Sequence, residues 1–144
     1  MKKGVLLVII FLLSGCNLNA TFTNEEHEKN EAEKVVNNFY ALLYLKDYKI
    51  TDKLFSNHFF EKVNKDQFQR ILENNQEKLG DILSNNLIDW KTFRVEGTNA
   101  KSEYVLIYEV VYTKFKTIEK IEMVKEENVI KIIGYHVNSD GFKY

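Results

Sequence analysis

Proline is missing altogether from this 144-residue chain. Average usage near 5% would supply roughly seven, so proline-rich linkers and polyproline recognition segments are excluded. Cysteine occurs once, at Cys16. A lone thiol makes no internal disulfide and no Cys-rich metal knot, which leaves burial of apolar area to hold a fold together. Glycine-rich phosphate loops, a Ser-His-Asp order, paired-carboxylate motifs and HxxxH or CxxC spacings are all lacking. So is any basic excess. With 20 Lys+Arg against 21 Asp+Glu and no basic cluster, the chain has no electrostatic footprint for nucleic acid. What remains, 44% hydrophobic and 28% charged residues, is the composition of one compact globular domain.

The one long apolar run stands at the start. In MKKGVLLVIIFLLSGC, Lys2 and Lys3 precede an uninterrupted stretch from Val5 to Leu13, followed by the small pair Ser14-Gly15. This is the layout of a secretory signal. As a helix the run would reach about 14 Å, half of a hydrocarbon core of ~30 Å, too short to span it. Leu13-Ser14-Gly15-Cys16 resembles the lipobox of bacterial lipoproteins. That resemblance implies a diacylglyceryl thioether on Cys16, cleavage between Gly15 and Cys16, and acylation of the new amino group. Two or more acyl chains turn reversible membrane binding into stable anchoring. The expected layout is a signal peptide over 1–15, a lipidated cysteine and short tether over 16–23, and a single domain over 24–144. The expected address is extracytoplasmic, lipid-anchored to the bacterial cell membrane. Asn17 after the cysteine would permit the outer membrane in a Gram-negative host. Without Lys2 and Lys3 the mature chain holds 18 basic and 21 acidic residues, a formal charge of −3.

Thr23-Asn24-Glu25-Glu26 has capping-box spacing. Ala32, Val35, Val36, Phe39, Leu42 and Leu43 follow at three- and four-residue steps, which predicts a helix to about Leu45. A shorter helix is expected over about 50–55, then a connector anchored by Phe59 and Phe60. Asn64 is an N-cap for a third helix, whose stripe of Phe68, Ile71, Leu72, Asn75, Leu79, Ile82 and Leu83 is sustained, with Gly80 weakening its last turn. From Leu87 the composition turns to Val, Ile, Tyr, Thr and Phe between turn signals. Four antiparallel strands are expected, at about 88–96, 101–115, 117–125 and 128–137. Helices first and a meander second make an α+β fold.

Asp47-Tyr48 after the first helix, Leu79-Gly80 closing the third and Gly134-Tyr135-His136-Val137 ending the last strand resemble small envelope lipoproteins with a nuclear transport factor 2-like, cystatin-like domain. The resemblance covers roughly residues 33–137. It implies three N-terminal helices packed on a curved four-stranded antiparallel sheet, a cone with a cavity. Glu127-Asn128-Val129 departs from the glycine and tryptophan often found before the final strand of such proteins. The fold hosts isomerases, dehydratases, adaptors and inert scaffolds, so it assigns no chemistry by itself.

Alternation along the long strand puts Tyr104, Leu106, Tyr108, Val110 and Tyr112 on one face and Val105, Ile107, Val111 and Phe115 on the other. Two apolar faces imply cover on both sides. The tyrosine-bearing face is the expected contact surface for a twin subunit or an envelope partner, with Tyr104, Tyr108 and Tyr112 at the interface. In the last strand Ile130 and Ile132 are expected opposite Val129, Ile133 and Tyr135. Glu109 interrupts the aliphatic face and could act as a cavity base, and His136 as a proton shuttle at the mouth. Tyr40, Tyr44 and Trp90 could floor a pocket for a small apolar ligand. His58 and Glu61 share i, i+3 spacing, but no further ligand joins them, so no metal and no cofactor is expected. The resulting expectation is a noncatalytic binding module in the cell envelope. Its alternatives are an isomerase- or hydratase-type enzyme using the cone cavity, and a protective or immunity-type lipoprotein.

Changing Cys16 to Ala is expected to move the protein out of sedimented membranes or to leave an uncleaved precursor. An unchanged membrane fraction, or a bare sulfur at position 16 in the mass spectrum of native protein, would contradict lipidation.

Overall fold

The computed structural model describes residues 19–143. The expected signal segment with Gly15, and Cys16 itself, lie outside the described residues. The described residues open with a short strand, β1 (Ala20–Thr23), then α1 (Glu26–Tyr44), two one-turn helices α2 (Tyr48–Thr51) and α3 (Asn57–Phe60), and α4 (Lys65–Leu79). The strands β2 (Ile82–Glu96), β3 (Lys101–Tyr112), β4 (Lys116–Glu126) and β5 (Val129–Asn138) follow. They form one antiparallel sheet in the order β1-β2-β3-β4-β5. The fold is α+β, as expected, with five strands rather than four.

The fifth strand comes from the stretch read as tether. Residues Ala20 to Thr23 pair with Glu96 back to Phe93, so Thr23 is a strand residue and the capping box does not form. Asn24 (φ 53°) reverses the chain instead. Its amide donates to the Thr92 carbonyl oxygen, its Oδ1 accepts from the Thr92 amide, and the Glu25 amide donates to Thr92 Oγ1. The sheet therefore serves the start of α1 in place of a local cap.

At the other end of the helical half, Asn64 Oδ1 accepts from the Asp66 amide at 2.8 Å, the expected cap of α4. This helix stops at Leu79, short of the expected Leu83. Gly80 has φ 92°, a region that favours glycine, and the chain leaves the helix there. The Lys114 and Thr113 amides then donate to the carbonyl oxygens of Leu79 and Asp81, and Ile82 and Leu83 begin β2. Ile82 still reaches the core, but from the sheet.

The core lies between the helices and one sheet face. Ala32, Val36, Phe39, Tyr40 and Leu43 of α1 are buried, with α1 touching β2, β3 and β5. A cluster of rings fastens the short helices: Phe55 lies 4.6 Å from both Phe59 and Phe68, and 5.6 Å from Phe39, between ring centroids. Phe55 also bridges Ile132, and the Ser56 amide donates to the Ile132 carbonyl oxygen at 2.9 Å. Part of the β5 edge is thereby covered. Strand β2 is paired by β1 only over its last residues, and its open part carries register shifts at Ile82/Ser84 and Leu87/Asp89. Bulges of this kind spoil an edge for pairing with another chain.

Gly80→Ala is expected to destabilise the domain by about 2 kcal/mol or more, since it forces a left-handed backbone on a side chain whose Cβ would run into Thr113 Oγ1. Denaturant unfolding of the variant against the parent measures this.

Candidate functional site

Face assignment comes out opposite to the sequence reading. Tyr104, Leu106, Tyr108, Val110 and Tyr112 are all buried against the helices, so the tyrosine face is the core and not a contact surface. An alternating strand with two apolar faces carries no mark of which side its helices will choose. Across β4 the inward positions are Thr117, Glu119, Ile121 and Met123. In β5 they are Ile130 and Ile132, and then Tyr135. The register shift at Glu122/Met123, where Met123 pairs with Ile132 and Glu122 with Gly134, inserts one residue and turns Tyr135 inward, against the simple alternation expected.

These inward positions converge on Glu119, which is fully buried. Its Oε1 accepts from Tyr112 Oη at 2.8 Å and Thr117 Oγ1 at 2.7 Å, and its Oε2 from Tyr135 Oη at 2.7 Å and Tyr40 Oη at 3.1 Å. A carboxylate has about four lone-pair sites on its two oxygens, and four hydroxyls occupy them. Burial, and after it the negative charge of Glu119, pushes the phenols of Tyr40, Tyr112 and Tyr135 well above their ordinary range. They stay protonated and keep donating. Tyr40 edges onto Tyr108 with ring centroids 5.4 Å apart, and Tyr108 Oη is buried without a hydrogen-bond partner.

A second carboxylate, Glu28 in the first turns of α1, is buried at the opposite end of the sheet. It accepts from Tyr104 Oη at 2.7 Å and lies 3.3 Å from Arg94 Nε. That nitrogen makes no hydrogen bond, so the contact is a charge pairing without aligned geometry. The Arg94 guanidinium also pairs with Glu25 at 2.9 Å and with Glu96, and stands 4.4 Å over the Phe22 ring. One cation thus gathers β1, β2 and the start of α1.

Little room is left between the layers. The recess bounded by Leu43, Leu72, Tyr112 and Tyr135 holds about 10 Å³, at the lower limit for a single water. Glu109 is on the outer face, 3.6 Å from Lys116 and partly exposed, so it is not a cavity base. His136 is 61% exposed beside Glu122 at 3.3 Å, also outside rather than at a cavity mouth. Of the expected pocket floor, Tyr40 is core and held by Glu119, Trp90 is half-buried with Lys29 Nζ 5.6 Å from its ring, and Tyr44 is 67% exposed. They do not share a pocket. His58 and Glu61 pair on the surface at 2.8 Å, and among the described residues no group of three His, Cys, Asp or Glu is placed to hold a metal.

Sequence reasoning missed Glu119 altogether. Its signal was the alternation Thr117, Glu119, Ile121, Met123, but Ile118 and Val124 make the opposite face look equally apolar. The outer face that remains is mixed. Val105 stands between Lys91 and Glu122, Ile107 between Asp89 and Lys120, and Val111 between Ser84 and Lys116. The three aliphatics are half-buried, and neighbouring lysine stems can lie along them.

Compared with family models, curated proteins and solved structures, the chain matches none. Among the described residues, no helix is long and apolar enough to cross a membrane.

Tyr112→Phe and Tyr135→Phe are each expected to cost about 1.5–3 kcal/mol, the range for a hydrogen bond to a charged group, with less than additive loss in the double variant. Tyr108→Phe removes an unpartnered hydroxyl and is expected to be neutral or stabilising. Equal losses at all three positions in urea unfolding would refute the Glu119 network. An unfolded tyrosine loses its proton near pH 10, whereas the folded phenols hold theirs to higher pH. Stability is therefore unaffected by them below about pH 10 and falls above it. Beyond the ionisation of the exposed Tyr44, the further rise in tyrosinate absorbance should coincide with loss of the far-ultraviolet circular dichroism signal.

Proposed function

We propose that this chain is a lipid-anchored bacterial envelope lipoprotein whose domain is a noncatalytic interaction module, working through the outer face of its sheet. The observation that carries this reading is the closed interior. Where a cone enzyme needs a pocket with converging polar groups, Tyr40, Tyr108, Tyr112, Tyr135 and Phe39 fill the space, and the buried carboxylate there is saturated by hydroxyls. The isomerase- or hydratase-type alternative loses its residues as well, since Glu109 and His136 stand outside. A small apolar ligand has no room between the layers.

Helices laid against an antiparallel sheet, with α1 against β2, β3 and β5, support likeness to the nuclear transport factor 2-like, cystatin-like cone, with its interior filled. A surface role is left to Val105, Ile107 and Val111, aliphatics on a face that Glu109 interrupts and that lysines and carboxylates border. Apolar residues set among charged ones are the ordinary anatomy of a protein contact. The partner is a second copy of this chain or another envelope protein.

A photo-crosslinking residue placed at Ile107 in the full chain, in intact cells, is expected to yield a protein adduct, while one at the exposed Lys34 on α1 yields none. An adduct of twice the chain mass identifies a second copy, and one of another mass a different envelope protein. No adduct at Ile107, or equal adducts at both positions, would overturn the proposal.

A further inference from the structure

The position of β1 has a consequence for how the domain meets a membrane. Ala20 pairs with Glu96, so β1 begins at the end of the sheet that carries the β2–β3 turn at residues 97–100. Pairing of Glu103 with Val124 and of Glu126 with Val129 brings the β4–β5 turn at residues 127–128 to that same end. The end of α1, the β3–β4 turn and the last described residues lie at the other. Along β3, twelve residues at ~3.3 Å separate the two ends by up to about 40 Å.

Four peptide units separate Cys16 from Ala20, a reach of at most ~14 Å at about 3.5 Å each. Without β1 the leash would run to Asn24 and about double. The strand is fastened by its ladder to β2, by the Asn24–Thr92 bonds and by Arg94 over Phe22. This short leash leaves the domain little freedom to turn over.

We infer that the turn end of the sheet, residues 97–100 with 127–128, rests on the headgroup surface of a zwitterionic phospholipid bilayer, and that the outer sheet face stands upright above it. The inference rests on the anchoring of Cys16 proposed above. Arg94 is paired with Glu25 and Glu96, Lys101 with Glu103, and Lys125 is followed by Glu126 and Glu127, so no unbalanced basic residue is left at this end to supply the attraction to anionic lipid of about 1 kcal/mol each. Arg94, Glu96, Lys101, Lys125 and Glu127 also line a depression of about 420 Å³. It offers both signs of charge, as does a zwitterionic headgroup. The leash sets the orientation, and charge does not.

The test uses full-length protein taken from membranes and reconstituted into zwitterionic phospholipid vesicles containing a trace of headgroup-labelled acceptor lipid. Thr98→Cys and Glu126→Cys mark the near end, Leu45→Cys and Asp140→Cys the far end, each labelled with one donor dye through a maleimide. A thioether at Cys16 takes no maleimide, so the unsubstituted protein is the control. Labelling of that control would show a free thiol and overturn the anchoring itself. With the control unlabelled, energy transfer roughly twofold higher from 98 and 126 than from 45 and 140 is expected from the span of the sheet, and unchanged in high salt. Equal or reversed transfer would overturn the orientation while leaving the anchor intact. A contrast that disappears in salt would overturn the leash as its cause.

Discussion

A carboxylate buried without a cation is among the costlier things a small domain can contain, and the arrangement around Glu119 is organised by the need to satisfy it. Four hydroxyls from α1, β3, β4 and β5 do so. Because each donor comes from a different element or position, the bonds fix the depth of α1 over the sheet and the lean of β5 against β4. The bulge at Glu122/Met123 belongs to the same constraint, since without it Tyr135 would point outward and Oε2 would lose its shorter bond. Each phenol is held protonated by the burial and the charge that it serves. Geometry and protonation reinforce one another.

The same network occupies both oxygens of the carboxylate inside the domain. A buried carboxylate with a free lone pair beside an open recess would be a general base in waiting. Here the lone pairs are taken and the recess is the size of one water. Glu28, Tyr104 and Arg94 close the other end with a second set of buried polar contacts, so the interior is polar at two points and open at neither. On the outer face, half-buried aliphatics of β3 lie between polar and charged residues of β2 and β4.

Several features were legible in the residues. The helical stripe of α1 and its end near Leu45, the Asn64 cap and the turns between strands follow local rules, and the structure has them close to where those rules put them. Local rules failed where two were satisfied at once. Ile82 and Leu83 continue the stripe of α4 and also suit a strand, and only the contacts of Thr113 and Lys114 with the Gly80 corner decide between them. Thr23 to Glu26 spells a capping box, yet pairing of Ala20–Thr23 with β2 takes Thr23 into the sheet.

By itself the sequence determined the α+β class and the order of the main elements, because periodicity and caps act over a few residues. Only the tertiary structure decided which face of β3 lies inside, that Glu119 and not Glu109 is buried, and that Ala20–Thr23 forms a strand. These depend on contacts between residues far apart in the chain. A two-sided apolar strand is symmetric until a helix is laid on one side of it, and no pattern within the strand breaks that symmetry.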